Sequence, residues 1–424
     1  MQTHVRSLWL SAAGGGLSNW TIQVALFYAV LRLHGASQLA WVVLAGTIPS
    51  LLLGPFLGTA VDHWHTARTS QLAGFLQALS LLALAEFIGG SLAGLAFSYA
   101  IYNTFNALGS TARQRLLYNV TPPAERATAN AAIGGVGGVV TVIGAGLGGS
   151  VALFGPIPVL LGAVGLRFVS TLCLLRVWPE LSSITKSTAR EPYWLELREG
   201  LRALSNFSRA TSVILVGIAW GLIGGGYDVL LSDYGVHLLH GGGGGLSTLY
   251  VVDGIGVMLG AIVARRVATA WKGHVYGWSY MLQGVFWTLF ALSRTLMVAV
   301  PLLLVMRFAS GVIIAWDTTL LLETVPDRLH GRVYSLHNAT YGAVMRVSLA
   351  LTGTLLALVG ARDVAIGAGI GSIAVGLSWW LAVGRKWSGG MPTAHASHGT
   401  QERRLGGSTS IDEVFRHRSL PGVS

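Results

Sequence analysis

The sequence predicts an all-α integral membrane protein with twelve transmembrane helices in two six-helix pseudo-repeats. First, 52% of the 424 residues are hydrophobic and only 11% are Asp, Glu, Lys or Arg, whereas soluble domains contain about 25% of these four charged residues. Second, the apolar residues fall into stretches of about 20, the length that crosses a bilayer. Third, a proline-acid-arginine loop occurs twice, at an offset of about 205 residues.

The composition also excludes several other classes of protein. The 57 glycines follow no three-residue period, so a collagen-like chain is excluded, and they suit closely packed membrane helices. Cys173 is the only cysteine, which rules out an internal disulfide and thiolate metal clusters. The net charge of +11 comes from basic residues between apolar stretches. It therefore indicates membrane topology rather than a nucleic-acid partner.

Twelve apolar stretches are candidate spans, and each is long enough to cross a bilayer as a helix. We expect no cleavable signal peptide before the first of them. Their order along the chain is regular, with one longer polar interruption between the sixth and the seventh. The candidate spans are residues 7–32, 39–61, 70–90, 92–112, 128–153, 156–177, 211–234, 246–264, 275–293, 296–320, 333–358 and 362–384.

These spans divide the chain into four predicted regions. An N-terminal six-helix bundle (1–177) and a C-terminal six-helix bundle (210–386) flank a cytoplasmic linker (178–209). The linker contains an amphipathic stretch at Tyr193–Leu204, a pattern typical of a helix on the membrane surface. The last region (387–424) is rich in Ser, Gly, His and Arg, which predicts a disordered cytoplasmic tail.

The distribution of Lys and Arg predicts the orientation. With both termini in the cytoplasm, 22 of the 28 basic residues fall in cytoplasmic segments, as the positive-inside rule requires. We therefore expect a multi-pass protein of the inner (cell) membrane, in contact with the lipid bilayer. The remaining basic residues are Arg32, Arg294 and Arg362 outside, and Arg167, Arg307 and Arg346 within spans.

An internal duplication supports a transport function. The loop Val120–Arg126 follows the fourth span, and its counterpart Val325–Arg332 follows the tenth. The same offset places the first span on the seventh and the loop Asp62–Arg68 near the loop Arg265–Lys272. A six-plus-six duplication around a central linker is a recurring plan of secondary transporters. A chance offset in a twelve-helix chain is the alternative interpretation.

Short sequence patterns in the same order resemble the major facilitator superfamily over roughly residues 5–384. Within that superfamily they are most similar to the branch of the enterobactin exporter and the macrolide-efflux proteins. Each pattern is weak by itself, and their order and spacing carry the resemblance. The patterns are Arg6–Leu10, Val24–Leu26, Pro49–Asp62, Ala129–Ala131, Ile143–Gly149, Glu199–Arg202 and Val325–Val333.

The resemblance implies a gating motif after the second span, formed by Gly58, Asp62 and Arg68. The family's loop usually runs Asp-Arg-x-x-Arg-Arg, whereas this chain has Asp-His-Trp-His-Thr-Ala-Arg, so fewer charges are available to lock the loop. Glycine permits close helix packing and aspartate stabilises a helix start. A simple helix cap at Asp62 is the alternative interpretation.

The fifth span resembles an antiporter-type helix at Gly144, Gly148 and Gly149. Ala145 stands where that pattern has proline, and the fourth span lacks the mid-membrane arginine of drug–proton antiporters. Dense glycines suit an interface that slides during alternating access, and they suit static close packing equally well.

Ionisable side chains within spans are the sharpest functional signal, because a charge at a helix centre costs about 2.5–3.5 kcal/mol. Asp228 and Arg307 are the predicted cavity-facing pair, and Asp253 and Arg346 are candidate partners. Proton coupling by Asp228 or Asp253, or a structural ion pair, would explain them. Asp317 lies near a span end, where a surface position is adequate. The full set is Glu86, Arg167, Asp228, Asp253, Arg307, Asp317 and Arg346.

Amide and aromatic side chains complete the predicted substrate cavity. The amides occur in pairs with helical spacing, so each pair shares a helix face. Amides with aromatics suit a large, amphipathic, mostly uncharged ligand, although amides also bridge helices without touching a ligand. The candidates are Asn19, Gln23, Asn103, Asn106, Trp220 and Tyr227, together with Arg307.

The sequence gives no indication of an enzyme, a metal site or a cofactor. His63 and His65, and likewise His237 and His240, lack the carboxylate or thiolate partners of a metal site. No Gly-x-x-x-x-Gly-Lys-Ser/Thr pattern is present, so ATP hydrolysis is not expected.

The leading hypothesis is therefore a secondary active transporter. It would export a hydrophobic or amphipathic small molecule (a drug, a macrolide-like or a siderophore-like compound) by alternating access in exchange for protons. Such a protein would be an antiporter with a role in efflux and drug resistance, working as a monomer. The alternatives are an importer or uniporter of the same fold, a sensory or scaffold membrane protein without transport, and a membrane enzyme.

Overall fold

The computed structural model describes residues 2–120, 126–175, 207–268, 271–326 and 329–387. These residues are helical apart from short connections, and they contain no strand. The predicted amphipathic stretch at 193–204 and the predicted tail, apart from Trp387, lie outside the described residues.

Twelve long helices, α1–α12, follow one another in the described chain, in the order that the spans predict. In the N-terminal half they are α1 (Gln2–Leu33), α2 (Ala36–His63), α3 (Thr66–Phe87), α4 (Leu92–Val120), α5 (Arg126–Gly149, extended by a helical turn at Val151–Phe154) and α6 (Pro156–Leu175). In the C-terminal half they are α7 (Ser208–Gly224 and Tyr227–Asp233, then a π-helical turn at Tyr234–Leu238), α8 (Gly242–Ala264), α9 (Lys272–Leu292), α10 (Leu296–Glu323), α11 (His330–Leu358) and α12 (Ala361–Ala382, then a 3₁₀ turn at Gly384–Lys386). The predicted all-helical membrane fold is confirmed.

Two helices show the largest differences from their predicted spans. Helix α4 continues to Val120 instead of ending at residue 112, because Leu116 in the extension packs in an apolar cluster with Leu8, Ala67 and Leu174. This extension places Arg113 on the helix rather than in a loop. Helix α7 is interrupted, although its sequence predicts one uninterrupted span.

The interruption of α7 lies at the three glycines Gly224–Gly226. The backbone N–H of Gly225 donates to Ser348 Oγ at 3.2 Å, and a Cβ at Gly225 would overlap the carbonyl oxygen of Met345. Helix α11 therefore packs directly against the backbone of the break. The second segment starts at Tyr227, so Tyr227 and Asp228 lie in its first turn.

The outer surface of the helices is apolar. Within the described chain, seven helical stretches are long and apolar enough to cross a membrane: Thr66–Phe87, Pro156–Leu175, Ser208–Leu238, Gly242–Ala264, Leu296–Glu323, Leu336–Leu358 and Ala361–Lys386. Large exposed side chains such as Leu79, Leu153 and Met297 would contact lipid. Helices α1 and α4 contain more polar residues, which suits helices that face the interior of the bundle.

Side-chain hydrogen bonds join the two halves. Ser37 Oγ on α2 donates to the carbonyl of Gly353 on α11 at 2.7 Å. Ser247 Oγ on α8 donates to the carbonyl of Ala145 on α5 at 2.9 Å. Both contacts lie towards the side of the molecule opposite the start of α1, which we call the far side.

Backbone-to-backbone contact joins α8 to α10. A Cβ at Gly260 would overlap the carbonyl oxygen of Phe308, and one at Gly311 would overlap the carbonyl oxygen of Val257. Because the overlapping atoms are backbone, neither helix can accommodate a larger residue without moving apart.

We predict that Gly260→Ala lowers the stability of the C-terminal half by about 1–3 kcal/mol, the usual range for overpacking. Thermal unfolding of the purified protein, followed by tryptophan fluorescence, measures the effect. Gly367→Ala on α12 is the matched control, because nothing lies within 4 Å of its added Cβ. Equal melting temperatures for the two variants would contradict close α8–α10 packing.

Candidate functional site

A buried ion pair between α8 and α10 is the centre of the candidate site. Arg307 Nε lies 2.5 Å from Asp253 Oδ1, and the two side chains are 15% and 8% exposed. Arg307 Nη2 also donates to Asp253 Oδ2 at 3.4 Å. Nε lacks hydrogen-bond alignment despite this short approach, so the pair is held mainly by charge. At Gly256 a Cβ would lie 2.7 Å from the Arg307 Cβ, which explains how α10 comes so close.

Tyr227 on α7 completes the pair. Its hydroxyl donates to Asp253 Oδ1 at 2.6 Å, and the Arg307 guanidinium carbon lies 4.6 Å from the centre of its ring. The tyrosine thus contacts both charges, by a hydrogen bond on one side and a cation–π contact on the other. Three helices meet at this point.

The pairing corrects the sequence prediction, which places Arg307 with Asp228. Close glycine contacts bring α8 against α10, so the carboxylate on α8 reaches Arg307 first. Asp228 remains close enough to interact electrostatically with both members of the pair. Arg346 does not join the group, since its hydrogen bond goes to the carbonyl of Gly342 on its own helix at 2.7 Å.

Asp228 is exposed, although it lies where α1, α7 and α8 meet. The side-chain amide of Gln23 on α1 is within interaction distance of its carboxyl group. Its backbone carbonyl accepts hydrogen bonds from Ser232 Oγ at 2.6 Å and from the Tyr250 hydroxyl at 3.2 Å. Asp228 is therefore an exposed carboxylate with Gln23 of the other half beside it.

Aromatic rings of α7 and α9 pack together next to Asp228. Trp287 on α9 makes edge contacts with Trp220 and Tyr227, at centroid distances of 5.7 and 5.6 Å. Trp220 contacts Tyr280, also on α9, at 5.8 Å. The predicted Trp220 and Tyr227 therefore belong to one aromatic cluster, which also contains Trp287 and Tyr280.

A chain of hydrogen bonds links the Arg307 guanidinium to α9 and α12. Arg307 Nη1 donates to Ser310 Oγ at 3.4 Å, and Ser310 Oγ donates to Gln283 Oε1 at 2.6 Å. Gln283 Nε2 in turn donates to Ser372 Oγ at 3.3 Å. These contacts tie α10 to α9 and α12 and hold the guanidinium in place.

In the N-terminal half, Asn19 contacts the buried Arg167. The Asn19 Oδ1 atom accepts hydrogen bonds from Arg167 Nη2 and from the Tyr102 hydroxyl. Arg167 Nη2 also donates to Tyr102 Oη and to the carbonyl of Gly15, each at 2.9 Å. Asn19 and Gln23 lie one turn apart on α1, as their spacing predicts.

The predicted amides of α4 make no hydrogen bond to another helix of the described chain. Asn103 Nδ2 donates to the Tyr99 carbonyl on its own helix at 2.9 Å, and a Cβ at Gly46 on α2 would lie 3.2 Å from that nitrogen. Asn106 Oδ1 is buried without a partner among the described residues.

The glycines of α5 pack against two different helices. At Gly144 a Cβ would lie 2.7 Å from Trp20 Cβ, and at Gly148 one would lie 2.6 Å from Val24 Cβ, both on α1. At the third predicted position, Gly149, it would overlap a serine side chain on α8 of the other half. The last glycine thus belongs to the interface between the halves.

The gating residues are only partly described. Gly58 and Asp62 lie near the end of α2, and the structure describes only their backbone. Arg68 is exposed in the first turn of α3 and has an interaction partner. The gating role stays a prediction.

A second polar cluster, which the sequence interpretation misses, lies towards the side where α1 begins. The sequence predicts a surface position for Asp317, yet its Oδ2 lies 2.8 Å from His337 Nε2 and its Oδ1 accepts a hydrogen bond from Tyr276 at 2.6 Å. His337 is buried against Gly217. A histidine within the eleventh span was the available signal. Within the described part of the chain, no three His, Cys, Asp or Glu side chains form a group that could bind a metal.

Twelve helices, with an ion pair buried inside the C-terminal half and an arginine buried inside the N-terminal half, are typical of a membrane transporter. A family model described as Major Facilitator Superfamily matches residues 8–348. The chain belongs to this superfamily.

Solved transporters share the fold at low sequence identity. A POT family transporter in complex with a thioalcohol-conjugated peptide is 12% identical, covering 89% of this chain and 95% of its own, with a TM-score of 0.71. The nucleoside transporter NupG is 11% identical, with coverages of 89% and 99% and a TM-score of 0.69. A bacterial homologue of the iron transporter ferroportin, in an inward-facing state, is 17% identical, with coverages of 89% and 99% and a TM-score of 0.67. No curated protein sequence matches the chain.

We predict that Asp253→Asn is strongly destabilising, by about 3–5 kcal/mol, because it leaves Arg307 buried without a counterion. The double variant Asp253→Asn/Arg307→Gln should regain part of that loss, since it removes both charges. Thermal unfolding of the two single variants and the double variant tests this. Losses that simply add would show that the two charges do not depend on each other.

Proposed function

We propose that the protein is a secondary active transporter that exports a hydrophobic or amphipathic small molecule in exchange for protons. The observation that carries the proposal is Asp228, an exposed carboxylate where α1 of one half meets α7 and α8 of the other. Alternating access requires a site between the halves that both sides of the membrane can reach in turn.

Orientation follows from the basic residues. We propose that both termini lie in the cytoplasm of a cell whose inner membrane holds the protein, because the positive-inside rule favours this orientation. The far side, where Ser37 and Ser247 bond across the halves, is then the outer side. We propose that these two contacts break when the site opens outwards, and that Gly58, Asp62 and Arg68 close the cytoplasmic side.

Asp228 is the better coupling group of the two acids. Arg307 forms an ion pair with Asp253, and the Tyr227 hydroxyl donates a hydrogen bond to it. In contrast, no described cationic nitrogen lies within 4 Å of the Asp228 carboxylate. A proton and a polar group of the substrate would compete for that carboxylate. Mutual exclusion of this kind is sufficient for exchange, because each ligand leaves when the other binds.

The surroundings of Asp228 favour an amphipathic substrate. The aromatic cluster of α7 and α9 offers apolar surface, and Gln23 offers an amide. A concave apolar site with few polar groups is the usual form of a small-molecule site. Drugs, macrolide-like compounds and siderophore-like compounds have this character, and their export would confer drug resistance. One such space per chain is compatible with a monomer.

An importer or uniporter of the same fold is the second candidate. The loop from Asp62 to Arg68 has fewer charges than the superfamily pattern, so the lock on the cytoplasmic side is weaker. A protein that keeps the fold without transport, as a sensor or scaffold, would share this feature.

We predict that Asp228→Asn abolishes proton exchange while leaving the protein folded. Everted vesicles with an acid interior and a quenched pH dye would be challenged with lipophilic drugs and siderophores. Compound-dependent dequenching is expected for the wild type and for Glu86→Gln, a control at an exposed carboxylate on α3. It should be absent in Asp228→Asn.

Two outcomes would change the proposal. Dequenching that persists in Asp228→Asn would remove this residue from the coupling mechanism. Uptake or efflux of a compound without any dequenching in the wild type would favour the uniporter.

A further inference from the structure

Arg167 on α6 is a buried cation without a counterion. Its side chain is almost completely buried, and its Nη2 atom makes three hydrogen bonds to neutral oxygens, those of Gly15, Asn19 and Tyr102. Its Nε and Nη1 atoms have no hydrogen-bond partner among the described residues. No carboxylate of the described chain forms an ion pair with it. A buried charge in this state calls for an anion that the described residues do not supply.

A second arginine makes the positive charge stronger. Arg113 on α4 is half-buried and close enough to Arg167 to repel it electrostatically. Arg113 makes no hydrogen bond or ion pair to a described residue. The groups that face the two guanidiniums are neutral: Tyr102 and Asn19 beside Arg167, and Gln77 and Gly109 beside Arg113. Two like charges in a low-dielectric region are stable together only if an anion balances them.

The position of Arg167 depends on the absence of a side chain at Gly15. A Cβ there would lie 2.9 Å from Arg167 Nη1, so only glycine lets the guanidinium lie against α1. The arginine is thereby held at the surface of α1 that also bears Asn19, which is itself only partly buried.

Helix α1 connects this position to the proposed transport site. Asn19 contacts Arg167, and Gln23, one turn further on, faces Asp228. One helical turn separates the two amides by about 6 Å. A small molecule lying along this face of α1 would have a positive region at one end and a carboxylate at the other.

We propose that Arg167 and Arg113, with Tyr102 and Asn19, form a subsite for an anionic group, a carboxylate or phosphate, of the transported molecule. This inference rests on the proposed transport function and narrows its substrate class to amphipathic molecules that bear a negative group. The unpartnered N–H groups of Arg167 donate to the anion, and Arg113 adds a second charge. Charge-assisted hydrogen bonds of this kind are the stronger ones in proteins.

The test compares benzoate with benzamide, which have nearly the same shape and differ in charge. Their affinities for the purified full-length protein are measured by tryptophan fluorescence, since Trp20 lies on α1. The wild type should bind benzoate at least about tenfold more tightly than benzamide. Arg167→Gln should lose this preference, Arg167→Lys should keep part of it, and Arg113→Gln should reduce it.

Arg346→Gln is the matched control, because Arg346 is a partly buried arginine on α11 that bonds only within its own helix. It should keep the full preference for benzoate. Size-exclusion chromatography verifies folding of each variant, and Arg113→Gln keeps the test decisive if Arg167→Gln does not fold. Equal affinities for benzoate and benzamide in the wild type, or an unchanged preference in both Arg167→Gln and Arg113→Gln, would overturn the proposal.

Two further measurements are needed. The first distinguishes a transported anion from a permanent inorganic counterion, and the second distinguishes the anion subsite from the coupling role of Asp228. If chloride or inorganic phosphate blocks benzoate binding at millimolar concentration, without being transported, the subsite holds a permanent inorganic counterion and the proposal is wrong. In Asp228→Asn the preference for benzoate should remain although proton exchange is lost. The anion subsite and the coupling role of Asp228 can thus fail separately.

Discussion

The ion pair between Asp253 and Arg307 is the interaction on which the candidate site depends. A charge inside a bilayer needs an opposite charge, a set of hydrogen bonds or water. Asp253 supplies the opposite charge for Arg307, and Ser310 accepts a hydrogen bond from it. Tyr227 contacts both members of the pair. Helices α7, α8 and α10 are therefore held in one arrangement by a few polar atoms.

Because that pair is satisfied internally, the second acid is available for another role. Asp228 is next in sequence to Tyr227, at the start of the helical segment that follows the glycine break. The break lets α11 approach the backbone of α7, and the new helical turn directs Asp228 towards α1. The same local structure thus stabilises one carboxylate and exposes the other.

Next to α1, the two halves contribute uncompensated charges of opposite sign. The N-terminal half contributes Arg167 and Arg113, and the C-terminal half contributes Asp228. Helix α1 contacts Arg167 through Asn19 and Asp228 through Gln23, one turn further along the same face. A ligand that bridges these groups would bind both halves at once, which is the condition for coupling its binding to their relative movement.

The sequence predicts the helices of this protein better than their contacts. Length and apolarity are sufficient to locate twelve spans, because a membrane helix must satisfy its backbone hydrogen bonds internally whatever surrounds it. They do not determine which charges meet. The Asp253–Arg307 pairing follows from the close approach of α8 and α10 at Gly256 and Gly260, which is a property of two helices packed together. Two other features escape sequence interpretation for the same reason. Hydropathy alone ends the fourth span before Arg113 and so assigns this residue to a loop, whereas α4 continues past it. Nor can hydropathy show that His337, inside a span, contacts Asp317.

Water access to the junction of α1 and α7 decides whether Asp228 belongs to a transport site. In a Cys173→Ser background, which removes the single native cysteine, Gln23→Cys is exposed to a membrane-impermeant thiol reagent in sealed vesicles of each orientation. Leu26→Cys, at a fully buried position of the same helix, is the control. We expect labelling at position 23 and none at position 26. A folded Gln23→Cys protein that is not labelled from either side would show that this junction is not an aqueous cavity and would contradict the assignment of Asp228 to a transport site.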